Sequence, residues 1–166
     1  MRLRTTDEIR DRMRAARLRA DALPELSELP WPEVDYLLWD GRRKTVAYLA
    51  TEVDGELHVI ALRKPDRNDG GIHAELCSLC LTLQPPRAVA TWTHPMRDAS
   101  GRYRSMGIRA CRQLECGEYV TGRRTLPLVT LGERLSVDER RARLRRNLEL
   151  FVRRALHDRS ASGSPR

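Results

Sequence analysis

A chain of 166 residues, 40% hydrophobic and 33% charged with a formal net charge of +8, has the length of one domain with a core of its own. No apolar run approaches the roughly 18 residues that cross a bilayer, and "MRLRTTDEIRDRMRAARLRA" lacks the apolar centre and small-residue cleavage site of a secretory signal. A cytoplasmic protein is therefore expected, in a compartment where disulfides are rare and paired cysteines serve metal or redox chemistry. The positive charge gathers at the two ends. Residues 1–20 hold seven Arg against three acids and residues 136–159 hold eight against four, whereas residues 21–135 are nearly neutral. Both basic segments read as helices, so the positive field is expected on two helices and not on the cysteine region.

In chain order, Thr5 and Glu8 have capping-box spacing and open a helix with Ile9, Met13, Ala16 and Ala20 along one face. It should stop near "DALPELSELPWPE", where three prolines prevent continuation. "EVDYLLW", residues 33–39, predicts a helical turn or two, with Trp31, Leu37 and Trp39 in the core. "KTVAYLATEVDGELHVIALRKP" predicts two strands joined by the two-residue turn Asp54-Gly55. "PDRNDGG" is a loop, "RAVATWT" a strand, "HPMRDASGRYRS" a long polar loop and "MGIRAC" the returning strand. "RQLECGEYVTG" predicts a short helix closed by Gly122, and "RRTLPLVTLGERL" is irregular or extended. Ser136 and Glu139 repeat the capping spacing at the start of a last helix, which runs Leu144, Leu148, Phe151, Val152 and Ala155 down one side. Residues 159–166 are too polar to fold and should form a disordered tail, leaving 1–158 as one domain.

All four cysteines stand in two close pairs, "CSLC" at Cys77 and Cys80 and "CRQLEC" at Cys111 and Cys116. The first spacing lets a tight turn aim two sulfurs at one point, about 2.3 Å from a zinc ion. The second works if Cys111 ends a strand and Cys116 lies in the first turns of the following helix, whose dipole favours thiolate charge. The resulting order is knuckle, β-hairpin, helix, the layout of a treble clef. A thioredoxin-like redox pair leaves the second pair unexplained, and His73 or His94 stays open as a substitute ligand. Four sulfurs close the coordination sphere, so one structural Zn2+ is expected, contributing on the order of 10 kcal/mol to folding. With no convincing nucleophile and base pair and no phosphate-cradling glycine loop, a non-enzymatic protein is expected.

The segments "LPWPEVDYLLWD", "ELHVIALRKP", "CSLCLT", "CRQLECGEYVTGRR" and "LSVDERRARLRRNLELFVRRAL" together resemble the FBP domain, the treble-clef zinc-finger domain at the C-terminus of FusB-type elongation factor G-binding proteins, in its free-standing form. The resemblance covers about residues 5–157. It implies an α+β fold: a treble-clef zinc finger at about 73–123, an additional β-hairpin, and flanking N- and C-terminal helices. It further implies zinc ligands at Cys77, Cys80, Cys111 and Cys116, and binding of elongation factor G with modulation of its release from the ribosome and protection from fusidic acid. FusB-type proteins carry an N-terminal helical bundle before this domain, where this chain has a single predicted helix.

A zinc-rigidified finger lowers the ordering cost of binding, which places partner contacts on it. Leu79 is expected exposed on the knuckle, and Arg102, Tyr103, Arg104 and Met106 on the hairpin loop form a mixture suited to an interface anchor. Arg123 follows the finger helix, and Tyr119 is read as core. The alternative is a zinc-dependent binder of nucleic acid or ribosomal RNA that uses the Arg of the terminal helices, Arg140 to Arg154 included, as a phosphate footprint.

Overall fold

The computed structural model describes residues 4–19, 23, 25–26, 34–97, 100–126 and 133–160. The expectations for Ala20, Trp31, most of the proline-rich segment, residues 127–132 of the expected irregular stretch and residues 161–166 lie outside the described residues. These fall into two compact units: one takes the described residues up to Lys64, Thr93–Met106 and those from Glu149 onward, the other Pro65–Trp92 and Gly107–Leu148.

In the first unit, helix α1 (Thr6–Ala15) begins with the reciprocal capping box of Thr5 and Glu8. Its Ile9 and Met13 are fully buried. The helix ends sooner than expected. Arg17 takes a left-handed φ of 55°, its N–H bonds the carbonyl of Arg14, and the N–H of Leu18 bonds that of Met13. This is a Schellman stop with Arg where glycine is usual, so Ala16 is a cap and not part of the helical face.

The segment expected to be a helical turn is instead strand β1 (Leu37–Asp40), antiparallel to β2 (Val46–Val53), with Leu38 opposite Leu49 and Trp39 opposite Tyr48. A short apolar run does not distinguish helix from strand by itself. The exposed edge of β2 decides it, by offering unpaired backbone groups that β1 satisfies. Strand β3 (Glu56–Arg63) pairs with β2 through the predicted turn, Val53 opposite Glu56, with Asp54 and Gly55 both at positive φ as a type I′ turn requires. Trp39, Tyr48, Ala50, Leu57 and Val59 pack with Ile9, Met13 and Leu26. The alternate set, Ala47, Leu49, Ile60 and Leu62, is buried as well. Both faces of the hairpin are therefore covered, which explains its nearly unbroken apolar run.

Strands β4 (Glu75–Leu76) and β5 (Leu83–Gln84) frame the first cysteine pair, and β6 (Val89–Arg97) and β7 (Tyr103–Cys111) form the long hairpin. The larger sheet has the order β1-β2-β3-β6-β7. The expected polar loop is thus mostly strand. Among the described residues the β3–β6 register is Arg63 opposite Thr93, so a proline two residues later breaks no ladder with β3. Helix α2 (Cys116–Thr121) is shorter than expected because Leu114 is left-handed (φ 53°), and it closes at Gly122 (φ 74°) as predicted. Helix α3 (Val137–Ser160) opens with the Ser136–Glu139 capping box, and its backbone continues two residues into the expected tail. Leu144, Leu148, Phe151, Val152 and Ala155 are all buried.

Arg17 is the one place in the α1 stop where an L side chain occupies glycine's backbone region, at a strain of about 1 kcal/mol. Arg17→Gly is expected to raise the midpoint of thermal unfolding by roughly 2–4 °C. A lowered midpoint in a calorimetric scan would show that the Arg17 side chain contributes more than its backbone costs.

Candidate metal centre

The second unit brings the four cysteines together. Cys77 follows β4, Cys80 ends the knuckle turn, Cys111 is the last residue of β7 and Cys116 the first of α2. All four side chains are fully buried. Their Sγ atoms lie within 4.8 Å of one another, with Cys77–Cys116 at 3.6 Å and Cys80–Cys111 at 3.7 Å. A disulfide requires about 2.0 Å, and none of the four is so joined. A tetrahedron of sulfurs about 2.3 Å from a central zinc has edges of about 3.8 Å. The observed spacing fits that ion.

The chemistry of the donors agrees. Hydrogen bonds from Cys111 and then Cys116 pull the thiols of Cys77 and Cys80 below the ordinary range. Cys116 is pushed well above it by Cys111, Cys77 and Cys80. Cys111 is raised too: the pull from Cys116 is outweighed by Cys77, Cys80 and burial. Left to themselves, four buried sulfurs share their protons unequally. A divalent cation bound among them stabilises all four as thiolates.

The knuckle is built by backbone bonds. The Cys77 N–H bonds the Thr82 carbonyl, the Leu81 N–H returns to the Cys77 carbonyl, and the Leu79 N–H points at Cys77 Sγ at 3.4 Å. Leu81 closes the turn at a φ of 57°. The Ser78 N–H bonds the Arg109 carbonyl on β7, which ties the two halves of the site together. Trp92 Nε1 donates to the carbonyl of Cys111 at 3.2 Å.

Two arginines brace this frame. Arg109 reaches Asp69 at 3.2 Å and also Glu75, while Asp69 accepts the Thr91 N–H at 2.7 Å. Arg112 gathers the carbonyls of Arg87, Asp66 and Asp69. Gly70 sits inside this clasp at a φ of 113°, where a Cβ would lie 2.9 Å from the Val89 carbonyl oxygen and 3.0 Å from Arg112 Nη2. The segment "NDGG" has the composition of a turn and gives no sign of these partners, because each bond spans more than fifteen residues and no local pattern encodes it.

Leu79 corrects an expectation. It is 1% exposed, because the first half of α3 lies along the knuckle: Asn147 Nδ2 donates to the Leu79 carbonyl at 2.8 Å and Arg143 to the Cys80 carbonyl at 3.3 Å. Arg143 is in turn paired with Glu133 at 2.5 Å, a bond that holds the Glu133 carboxyl below its usual range. The exposed apolar side chains around the knuckle are Ile72, Leu76 and Leu81 instead. Tyr119 is buried, as expected, with the Arg124 guanidinium 5.4 Å from its ring centroid, and Arg123 is exposed. Neither His73 nor His94 joins the sulfurs. His94, expected on a loop, is a buried residue of β6 in the first unit with Nδ1 2.7 Å from the Ala61 carbonyl. Tyr103, Arg104 and Met106 also belong to the first unit and lie on β7, not in the loop. Tyr103 is 76% exposed, Arg102 and Arg104 are exposed, and Met106 is half-buried.

The family model described as the FBP C-terminal treble-clef zinc-finger matches residues 8–155. The chain belongs to this family. Its architecture, an antiparallel sheet with three helices among the described residues and a four-cysteine cluster, is that of an α+β treble-clef zinc-finger protein with one structural zinc. Among solved structures, the fusidic acid resistance protein FusC is similar, with a TM-score of 0.54 and 15% identity over 71% of this chain. At that identity the likeness concerns the fold. The chain spans about half the length of FusC, 53% of which is covered. No curated protein matches the sequence. No described helix is long and apolar enough to cross a membrane.

Two variants probe the centre. Cys116→Ser should reduce zinc from about one ion per chain to near zero by elemental analysis and unfold the finger. Full zinc retention in that variant would remove Cys116 from the ligand set. Gly70→Ala should keep the four sulfurs but destabilise the protein by about 1–3 kcal/mol, seen as a lower unfolding midpoint in zinc-saturated buffer. An unchanged midpoint would mean that the Arg112 clasp yields without cost.

Proposed function

We propose that this protein is a non-enzymatic zinc-dependent binding module whose partner is elongation factor G, that it modulates release of the factor from the ribosome, and that cells gain protection from fusidic acid as a result. The observation that carries the reading is the family match over residues 8–155, joined to a four-sulfur cluster with the spacing of a closed structural site. The likeness in fold to FusC, a fusidic acid resistance protein, supports the same direction. A metal held by four protein ligands polarises no substrate; it stiffens the backbone around it and so reduces the entropy lost on binding.

Candidate contacts are apolar or aromatic side chains that the fold leaves in solvent. On the first unit Tyr103 is the most exposed large hydrophobic residue described, flanked by Arg102 and Arg104. On the second, Leu76 and Ile72 take the place that sequence reading gave to Leu79, with Leu81 partly exposed and Arg123 exposed. Tyr and Arg are the residue types most enriched where truncation costs binding energy.

A pull-down and titration with purified elongation factor G tests the reading. The zinc-loaded chain should bind at micromolar concentration or tighter. Tyr103→Ala or Leu76→Asp should weaken binding by about fivefold or more, with zinc content unchanged. Absence of binding by the zinc-loaded wild-type chain at micromolar concentration would falsify the proposal.

A further inference from the structure

Several arginines of the expected phosphate footprint on the terminal helices are paired with carboxylates of the chain. In α1 and just before it, Arg4 is buried against Glu52 at 2.5 Å and Glu8, Arg10 pairs with Asp7, Arg14 with Asp11 at 3.4 Å, and Arg12 reaches Glu56 at 3.9 Å. In α3, Arg143 holds Glu133 and the knuckle, while Arg153 is shared between Asp54 and Glu149.

Three arginines outside those helices also have no such partner among the described residues, and they share one cleft. Arg19, beyond the end of α1, and Arg42 and Arg43, in the turn between β1 and β2, line a cleft of about 590 Å³ together with Gly41, Val46 and Tyr48. All three arginines are exposed, and among the described residues no hydrogen bond or ion pair engages their guanidinium groups. Asp40, next to Gly41 in sequence, pairs with Lys64 Nζ at 2.6 Å. The cleft is rigidly framed. The Gly41 N–H bonds the Val46 carbonyl at 3.0 Å and the Val46 N–H bonds the Arg43 carbonyl at 2.9 Å. The Gly41 backbone lies so close to the Tyr48 ring that a Cβ would stand 3.1 Å from Cε2, and the ring itself is fixed against Trp39 at 5.6 Å between centroids.

We propose that this cleft binds the phosphate backbone of single-stranded RNA through Arg19, Arg42 and Arg43, which line it. Three like charges lining one cavity attract a polyanion and gain from releasing its counterions. The described lining has no carboxylate, amide or aliphatic hydroxyl. A mononucleotide pocket uses a few placed polar groups of that kind to orient its base, so this lining suits a backbone held without sequence preference. The site lies in the first unit, apart in sequence from the cysteines, and stands or falls independently of elongation factor G binding.

Fluorescence anisotropy of a short labelled oligouridylate with the zinc-loaded full chain tests it. Binding should weaken between about 50 and 200 mM salt with a log–log slope near −2, about −0.7 for each of three phosphates. Arg42→Ala with Arg43→Ala should lower affinity about tenfold and flatten the slope by about 1.4. Arg146→Ala with Arg154→Ala, an equal loss of charge from exposed positions on α3, should change affinity by less than about threefold. Both double variants sit at solvent and should keep full zinc and an unchanged unfolding midpoint. No binding by the wild-type chain, binding unaffected by the turn variant, or equal losses in the two variants would each overturn the proposal. So would displacement of the RNA by equimolar pyrophosphate or ATP, which would assign the cleft to a small phosphate ligand.

Discussion

Four sulfur atoms held within 4.8 Å of each other are the constraint on which the second unit depends. Each thiolate is a charge taken out of water, and four together repel at contact distance. Burial of that charge is tolerable only around a cation. The residues that bring the sulfurs together come from the knuckle, the end of β7 and the start of α2, segments too short to hold position by packing alone. The metal therefore acts where a small domain lacks apolar area.

The polypeptide prepares that centre from outside. Arg109 and Arg112 fasten the loop before β4, β4 itself and the turn before β6 to the strand that carries Cys111, and the first half of α3 bonds the backbone of the knuckle through Asn147 and Arg143. Guanidinium groups suit this work because several donors in a plane can satisfy several carbonyls at once. The abundance of arginine thus has a structural share, and what remains unpaired at the β1–β2 turn is the more informative for it. The mean charge of residues 21–135 conceals that cluster, since a near-neutral sum says nothing about which charges have found partners.

The same distinction separates the two proposed partner surfaces. Phosphate recognition calls for unpaired cations in a framed cleft, as at Arg19, Arg42 and Arg43. Protein recognition calls for exposed apolar anchors, as at Tyr103 and Leu76.

Local order was legible in the residues themselves. Both capping boxes, the Asp54-Gly55 hairpin, the Gly122 stop and the convergence of the two cysteine pairs follow from interactions within a few residues or from ligand chemistry with a fixed geometry. Tertiary structure alone decided the rest. The run ending at Trp39 became a strand because β2 had an edge to pair. The segment through Pro95 became strand because its neighbour's ladder had already ended. Leu79 was buried because a helix some seventy residues later covers the knuckle. In each case a backbone donor, acceptor or apolar surface was satisfied by a partner distant in sequence, and neither periodicity nor spacing records which partner arrives.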